Sequence, residues 1–251
     1  RVLFRSMSAA EVGFGLYGAL LVDDPDDGVG VADELVLVLS DIALVDGELE
    51  SPDSGGDLAA VFGREGTRVL LNGRTDARLV VRDRAPQRWR IVNAAKSRYF
   101  LLDLEGVPFT VIGADGGLQA SAEQKDALAL APGERLDVVL APARLPDAPT
   151  LTLRSGLINR GFGSVEFRRV EKLMTIAFAD EPAYAGALPP PPRRPIAPLD
   201  LAGAAKVPID LTFSNADGQN RYGINGRPFG EEHVLAVRVG ETQVWTITNR
   251  T

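Results

Sequence analysis

The chain of 251 residues has no cysteine and a single histidine, His233. Without cysteine it forms no disulfide, no thiolate nucleophile and no cysteine-ligated zinc, iron–sulfur or blue-copper site of its own. A single histidine excludes a metal site with two histidine ligands, and a Ser–His–Asp triad would have to use His233. The residues present therefore offer little of the usual catalytic chemistry.

Basic side chains are also in the minority. The chain has 27 basic and 34 acidic residues, and its net charge of −7 argues against phosphate-backbone binding, which needs a clustered basic face. No run approaches the roughly 18 apolar residues of a membrane span, and no basic stretch followed by an apolar segment opens the chain. With 45% hydrophobic and 24% charged residues, we expect a globular protein without a nucleic-acid partner or a membrane span.

Short β-rich runs bounded by glycine, proline, aspartate and asparagine recur along the chain, whereas helical periodicity is scarce. This pattern predicts an all-β protein. In Gln87–Asn93, Trp89 and Ile91 alternate with Arg88 and Arg90, which predicts one buried and one solvated face. The predicted strands are residues 34–40, 67–71, 78–81, 87–93, 99–104, 109–114, 127–130, 134–140, 151–154, 173–178, 208–213, 234–239 and 242–249.

An internal repeat is the strongest pattern in the sequence. Asn-Gly-Arg occurs at residues 72–74 and again at 225–227, an offset of 225 − 72 = 153. Each copy is followed by a tryptophan and, four residues later, an asparagine: Trp89 and Asn93, then Trp245 and Asn249. Two tandem copies of one β fold explain this spacing, and we expect both tryptophans to lie in sandwich cores, where each N–H needs an acceptor.

Two segments interrupt the strands. Residues 189–198 (PPPPRRPIAP) favour extended polyproline geometry and predict a semi-rigid linker. Residues 23–28 (DDPDDG) are too acidic and too rich in turn formers for a strand, which predicts a second junction. The stretch between these segments has an ordinary domain size.

Segments spread in order along the chain carry a resemblance to one family: GFGLYGALLV (13–22), ELVLVLSD (34–41), LLNGR (70–74), RWRIVNAAKSRYF (88–100), PFTVIGADGG (108–117), LAPGERLDVV (130–139), INGRPF (224–229) and GETQVWTITNRT (240–251). Together they resemble the multicopper oxidases, the laccase-like family. The first segment is similar to the closing strand of the family's first cupredoxin domain. The last two are similar to the start of its third domain, and those between resemble its second domain.

The resemblance implies a cupredoxin-like Greek-key β-sandwich, with one complete domain and partial neighbours. It implies the end of domain 1 in residues 7–30, a complete domain 2 in 31–188, a Pro-rich linker in 189–205 and a truncated start of domain 3 in 206–251. Residues 1–6 (RVLFRS) fit none of the family pattern, and we expect them to be non-native sequence.

The family's copper ligands have no counterpart in this chain. In the family a His-x-His element precedes the segment similar to residues 13–22, and His-Pro-x-His-x-His and His-Cys-His elements follow the one similar to residues 240–251. The chain contains none of these elements. The resemblance therefore implies copper in an intact parent, and it assigns no catalytic, cofactor-binding or metal-binding residue here.

A glycine pattern near the start matches a dinucleotide-binding fingerprint. It consists of Gly13, Gly15 and Gly18, with Asp33 and Glu34 further along the chain. That fingerprint needs a strand before it and a helix after it. The run that follows is strand-like, so we interpret the glycines as a structural entry to a strand.

An acidic pattern partly matches a calcium-binding loop. Asp23, Asp27, Gly28 and Glu34 fall at its first, fifth, sixth and twelfth positions, whereas Pro25 replaces the ligand at the third. No predicted helices flank the segment, as such a loop requires. We interpret it as an acidic interdomain loop.

Most of the remaining polar residues of interest are interpreted as structural, without a functional role. His233 lies in a polar turn, and a lone histidine without a metal or nucleophile partner carries no mechanism. Arg98, Tyr99 and residues 168–169 are interpreted as strand-edge or interface residues. Residues 159–164 (NRGFGS) form a loop that is a candidate wall of a reducing-substrate pocket, because loops concentrate binding residues.

Three functions remain open. A laccase-like parent would oxidise phenols, amines or metal ions in one-electron steps and reduce O₂ to water. A copper-free relative would instead be an envelope scaffold, as some division-associated proteins of the superfamily are. A generic sandwich binding module is the third. The resemblance implies the periplasm or cell surface of a bacterium, and it makes the parent, rather than this chain, a candidate oxidoreductase.

The purified chain is expected to bind no stoichiometric copper and to show no laccase activity. Type 1 copper needs a cysteine thiolate together with two histidines, and these residues cannot supply that set. Titration with Cu²⁺, followed by metal analysis and absorbance spectroscopy, measures the binding. A thiolate-to-copper charge-transfer band would contradict the prediction.

Overall fold

The structure is a computed structural model that describes residues 8–24, 27–31, 33–51, 54–56, 59, 63–159, 170–190, 195, 197–216, 218–228, 230 and 237–251. These residues confirm the all-β prediction. The elements are α1(Ser8–Gly13), β1(Asp33–Ile42), β2(Leu44–Val45), β3(Glu48–Leu49), β4(Arg68–Leu71), β5(Ala77–Val81), β6(Gln87–Asn93), β7(Phe100–Leu104), β8(Phe109–Ala114), β9(Gly117–Lys125), β10(Ala127–Leu130), β11(Arg135–Leu140), β12(Thr150–Ser155), β13(Glu171–Phe178), β14(Ala205–Ser214), β15(Arg221–Ile224), β16(Arg227–Pro228) and β17(Gln243–Asn249).

The chain divides into two compact units, residues 1–195 (unit 1) and residues 196–251 (unit 2). Unit 1 is a β-sandwich. Its six-stranded sheet has the order β4-β1-β6-β11-β8-β9, and its five-stranded sheet has the order β10-β7-β12-β13-β5. Most neighbouring strands are not consecutive in sequence, because the chain crosses repeatedly from one sheet to the other, as in a Greek-key sandwich.

The inner faces of the two sheets of unit 1 form one apolar core. Trp89 and Ile91 of β6 lie in it with Phe109 of β8, and Leu151 and Ile176 reach it from the five-stranded sheet. The Trp89 and Phe109 rings are tilted, with centroids 6.4 Å apart. Burial of a large apolar side chain stabilises a fold by about 1.5–3 kcal/mol, so this core is a main source of the stability of unit 1.

The structure corrects part of the strand prediction. Strand β9 and the β2–β3 and β15–β16 pairings are additional, because their polar or very short sequences lack apolar alternation. The predicted strand 234–239 is not confirmed: residues 237–239 are not in a strand, and 234–236 lie outside the described residues. Residues 13–22, expected to form a strand, instead contain the end of α1 followed by an irregular segment.

The prediction of a solvated outer face on β6 is also wrong. The Arg88 side chain is only 5% exposed. Residues 16–24 and 27–31, here named the strap, cross the outer face of the six-stranded sheet and cover Arg88 and Arg90. Both faces of β6 are therefore covered, the inner one by apolar side chains and the outer one by an ion-paired segment.

Unit 2 is a four-stranded sheet of order β16-β15-β14-β17 that repeats the pairing of unit 1. Strand β14 is parallel to β17 and antiparallel to β15, as β1 is parallel to β6 and antiparallel to β4. Trp89 lies opposite Leu35, and Trp245 lies opposite Val207. The repeat in the sequence is therefore also a repeat of strand order and direction.

The Asn-Gly hairpins explain why the pattern recurs. Asn72 and Asn225 have φ values of 50° and 52°, and the glycines after them have 75° and 78°. Two successive positive φ values define the tight hairpin turn that Asn-Gly favours. Each asparagine Oδ1 also accepts a 2.8 Å hydrogen bond from the backbone N–H of the neighbouring strand, at Val38 and Asp210.

The expectation that Trp245 lies in a core is wrong. Its exposed fraction is 48%, whereas Trp89 has 0%, and Ile247 is 61% exposed. The five-stranded sheet covers the equivalent face in unit 1. Among the described residues of unit 2, only Ile209 is buried, so the odd-numbered positions of β14 and β17 form a largely open apolar face. In the described part of the whole chain, no helix has the length and apolar character needed to cross a membrane.

Limited proteolysis is expected to cleave unit 2 before unit 1. A sheet with one open apolar face has few buried contacts, and such regions open at low free energy. Digestion with a protease that cleaves after aromatic residues, followed by intact-mass measurement over time, should show early cuts at Phe213, Tyr222 or Trp245. Equal survival of units 1 and 2 would contradict this expectation.

Candidate functional site

The arginine cluster, formed by Arg88, Arg90, Asp23, Asp27, Glu34 and Asp137, lies on the outer face of the six-stranded sheet beneath the strap. Strand pairing brings its members together. Glu34 on β1 lies opposite Arg88 on β6, and Asp137 on β11 lies opposite Arg90. Alternation places all four side chains on the outer face, where Asp23 and Asp27 approach from the strap.

Arg88 is the hub of the arginine cluster. Its Nη1 donates to Asp27 Oδ2 at 2.5 Å and to Glu34 Oε1 at 2.9 Å. Its Nη2 donates to Asp137 Oδ2 at 2.6 Å, and its Nε donates to Asp137 Oδ1 at 3.0 Å. The pairing with Asp137 uses two guanidinium nitrogens, the geometry that gives Arg–carboxylate pairs their strength and direction.

Arg90 forms the second link between the strap and the sheet. Its Nη1 lies 3.1 Å from Asp23 Oδ1, and its Nη2 lies 3.1 Å from Glu34 Oε2. Further along the strap, the Tyr17 hydroxyl donates to Ser40 Oγ at 2.5 Å. The strap is thus held at three points, near the start, middle and end of its course.

Charge pairing favours the ionised forms of Asp27 and Arg88. Burial alone would raise the pKa of Asp27, but the Val29 N–H and the Arg88 guanidinium outweigh it, with Arg90 adding a smaller effect, and the pKa falls below its ordinary value. Burial likewise opposes the charge of Arg88, yet Asp137 and Asp27 raise its pKa further above the ordinary range. The Asp27 contribution to stability is therefore present at neutral pH and is lost as the pH falls through its lowered pKa.

The chemistry of the arginine cluster is that of a clamp. A general acid or base needs a pKa near the working pH, whereas the pKa of Asp27 is lowered and that of Arg88 is raised. Beside the cluster, a groove of about 440 Å³ runs between the strap and the sheet, with Leu20, Leu21 and Leu136 among its lining residues. Arg135 at this groove is ion-paired with Asp115 at 3.1 Å.

A second charged cluster anchors the segment before β4. The Gly66 N–H and Arg98 Nε donate to Asp41 Oδ2 at 2.5 and 3.0 Å, and Arg98 Nη2 donates to the Gly66 carbonyl at 2.6 Å. A Cβ at Gly66 would lie 2.5 Å from the Ile42 backbone, so only glycine fits there. Arg98 is therefore an internal anchor, which replaces its interpretation as a strand-edge or interface residue.

The structure places the other residues singled out from the sequence as follows. Gly13 ends α1, and Gly15, with φ of +92°, follows it in a turn, so the glycine pattern does not join a strand to a helix in the way a dinucleotide site does. Tyr99 is partly exposed. His233, residues 160–164 of the candidate loop and residues 168–169 lie outside the described residues.

The acidic segment, interpreted from the sequence as an interdomain loop, forms ion pairs with the six-stranded sheet. Its Asp23 and Asp27 are strap residues that bind Arg90 and Arg88. In the part of the chain that the structure describes, no group of three or more His, Cys, Asp or Glu side chains is arranged to hold a metal ion. The sequence analysis did not predict the arginine cluster. The signal that could have indicated it is the opposite charge of the acidic segment 23–28 and of the Arg-Trp-Arg run at residues 88–90.

Comparison with known proteins shows that part of unit 1 matches a family model. Residues 34–148 match the family model for multicopper oxidases. The chain is 38% identical over 143 residues to the cell division protein FtsP of Edwardsiella tarda, covering 53% of this chain and 28% of that protein. It is 25% identical over 198 residues to a laccase of Bacillus subtilis, covering 74% of this chain and 36% of the laccase.

Solved structures confirm the cupredoxin-like fold. A multicopper oxidase of Campylobacter jejuni, named a metallo-oxidase, has a TM-score of 0.70 and 22% identity, covering 90% of this chain and 49% of that chain. McoA of Aquifex aeolicus has a TM-score of 0.66 and 21% identity, covering 88% and 49%. The chain therefore spans about a third of these two relatives and about half of these structures.

Replacing Arg88 is expected to destabilise unit 1 strongly. Arg88→Met keeps much of the side-chain volume but leaves three carboxylates without their shared counter-charge, and breaking a buried ion pair costs about 3–5 kcal/mol. Urea unfolding followed by fluorescence measures the loss, in a Trp245→Phe background so that Trp89 is the remaining tryptophan. The control is Arg78→Met, which removes an exposed pair with Asp76 and should change stability by less than about 1 kcal/mol. Equal effects of the two variants would contradict the clamp.

Proposed function

We propose that residues 31–188 of unit 1, of which residues 34–148 match the multicopper oxidase family model, form the copper-free middle domain of a larger protein of this family. Its role is to hold the flanking cupredoxin domains at a fixed separation. Residues 31–188 are assigned to this domain and residues 7–30 to the end of the domain before it. The linker is assigned to residues 189–205, and the start of the following domain to 206–251.

The single observation that carries this proposal is the clamp on the strap. The strap belongs largely to the segment assigned to the preceding domain, and Arg88 and Arg90 tie it to the middle sandwich through Asp27 and Asp23. A spacer domain must be rigid and must be fixed to its neighbours. Unit 1 has a closed apolar core for the first requirement, and the arginine cluster meets the second for the preceding domain.

Copper does not fit the residues of this chain. A type 1 site uses two histidines and a cysteine, and the chain has one histidine and no cysteine. The carboxylates of the arginine cluster already face guanidinium groups, and carboxylates in any case suit harder cations than copper. Any copper of the whole protein is therefore assigned to residues other than these, and we derive no catalytic step within this chain.

For the whole protein we propose an oxidase. It would take single electrons from phenols, amines or metal ions and pass them to O₂, which is reduced to water. The match to the multicopper oxidase family and the 25% identity to a laccase over 74% of the chain support this reading. The proposed location is the periplasm or the outside of a bacterial cell, where small reductants and O₂ are both available.

A second candidate is a copper-free envelope scaffold. The observation that favours it is the 38% identity to a cell division protein, which exceeds the 25% identity to the laccase, although over fewer residues. The clamp serves this function equally well, because a scaffold also needs domains at fixed separations. The partners would then be other proteins instead of a reductant and O₂.

Copper loading of the whole protein decides between these two functions. After reconstitution with Cu²⁺ and removal of excess metal, an oxidase is expected to keep several copper ions per molecule and to consume O₂ with a phenol, an aromatic amine or Fe²⁺ as the reductant. The isolated chain, treated in the same way, is the matched control and should do neither. A whole protein that keeps no copper and consumes no O₂ would support the scaffold, and stoichiometric copper on the isolated chain would contradict the copper-free middle domain.

A further inference from the structure

A segment without regular secondary structure follows the last strand of unit 1. Residues 179–190, here named the exit segment, come directly after β13 and contain neither helix nor strand. They border a cavity of about 800 Å³, which residues 30–31 of the strap and residues 79–82 also line. Because this cavity lies beside it, the exit segment lacks continuous apolar packing against the sandwich. Its path must therefore depend on individual contacts.

Arg82 makes several of these contacts from the turn between β5 and β6. Its Nε donates to the Pro182 carbonyl at 2.8 Å, and its Nη2 donates to the Ala183 carbonyl at 3.4 Å. Its guanidinium also lies 5.7 Å from the centre of the Tyr184 ring, a distance at which an aromatic ring attracts a cation. One guanidinium therefore contacts three successive residues of the exit segment.

The turn between β5 and β6 is itself fixed to the rest of unit 1. The Asp83 carbonyl accepts a 2.8 Å hydrogen bond from the Tyr184 N–H, and Asp83 Oδ1 accepts one of 2.8 Å from the Arg144 N–H. The Arg84 N–H donates to the Pro142 carbonyl at 2.8 Å. These bonds anchor the turn, so the guanidinium that extends from it acts from a fixed point.

The exposure of Arg82 separates its role from that of Arg88. The Arg88 side chain is only 5% exposed, whereas Arg82 is an exposed residue. Polar contacts at exposed positions contribute little to the free energy of unfolding, because water competes for the same groups. The planar fork of a guanidinium nevertheless restricts where its two acceptors can lie. The contacts of Arg82 therefore determine direction more than stability.

The far end of the exit segment lies against the strap. A Cβ added to Gly30 of the strap would lie 3.8 Å from the Cβ of Pro189. Between Arg82 and this point, the Tyr184 ring lies so close to the Gly186 backbone that a Cβ there would overlap the ring. The strap before β1 and the exit segment after β13 are therefore side by side.

We propose that Arg82 is the positioning residue of the exit segment and directs the chain that leaves β13 to the side of the strap. The inference rests on the proposed spacer function, which requires the following domain to be fixed as well as the preceding one. The arginine cluster holds the strap, and Arg82 holds the segment that leads to the linker. The two arginines, Arg82 and Arg88, are 88 − 82 = 6 residues apart, so one short stretch holds both flanking segments.

A pair of engineered cysteines measures how closely the exit segment is held to the strap. The chain has no cysteine, so Gly30→Cys with Pro189→Cys supplies its only two thiols. Their 3.8 Å Cβ separation lies within the roughly 3.5–4.5 Å range of disulfides. Equilibration with reduced and oxidised glutathione gives the effective concentration of one thiol at the other. Adding Arg82→Met is expected to lower it by about tenfold or more, because a released segment samples more positions.

Arg84→Met in the same double-cysteine background is the matched control. It removes an exposed arginine from the same turn, and no hydrogen bond or ion pair joins the Arg84 side chain to the exit segment, all of whose residues the structure describes. The effective concentration should therefore stay unchanged. Urea unfolding should give similar midpoints for both variants and their parent. A fall in the midpoint of Arg82→Met alone would assign Arg82 to the stability of unit 1, against the inference.

Hydrogen exchange tests the same contacts in a chain without engineered cysteines. In Arg82→Met, the backbone amides of the exit segment, including that of Tyr184, should exchange about tenfold faster or more, because their local opening costs less free energy. The amides of β13 should keep their rates, since its pairing with β5 and β12 does not involve Arg82.

The outcomes separate this inference from the proposed function. An unchanged effective concentration in Arg82→Met, an equal loss in Arg84→Met, or unchanged exchange in the exit segment would each overturn the role of Arg82. A double-cysteine variant that forms no disulfide would overturn the placement beside the strap. None of these measurements involves copper or O₂, so their failure leaves the clamp on the strap and the oxidase and scaffold proposals as they stand. Copper on the isolated chain would contradict the proposed middle domain without moving the exit segment.

Discussion

The outer half of unit 1 is organised by the need to pair one buried charge, the guanidinium of Arg88. An unpaired charge at a buried position costs several kcal/mol, and the strap removes Arg88 from water almost completely. Glu34 from β1, Asp137 from β11 and Asp27 from the strap all meet this charge. The positions of two strands and of the segment before them are therefore tied to one side chain, and a shift of any of them would leave a buried charge incompletely paired.

The sequence predicts the inner face of β6 correctly and its outer face incorrectly, for one physical reason. Alternation fixes which side chains share a face, so the separation of Trp89 from Arg88 follows from local geometry. What covers each face depends on distant residues. Asp27 and Asp137 are 61 and 49 residues from Arg88 in the sequence. No local pattern predicts that their carboxylates meet at one guanidinium. An arginine expected in solvent is therefore buried.

The internal repeat shows the same division between local and distant causes. The Asn-Gly turns at Asn72 and Asn225, the parallel pairing that follows them and the positions of Trp89 and Trp245 recur, because short sequence signals determine them. The burial of the two tryptophans differs, because burial requires a second layer. In unit 1 the five-stranded sheet supplies that layer. Unit 2 has the same strand pattern, and its tryptophan is half exposed.

The same division between local and distant causes applies to function. Similarity in unit 1 reflects what its residues must do, which is to pack a sandwich core and to hold the strap. An oxidase and a copper-free scaffold place the same demands on Trp89, Arg88 and Asp137, since neither function needs a metal ligand at these positions. The chain can therefore be similar both to a cell division protein and to a laccase. Charge pairing and apolar packing constrain the sequence pattern of unit 1, and neither constraint depends on the chemistry carried out by other parts of a protein.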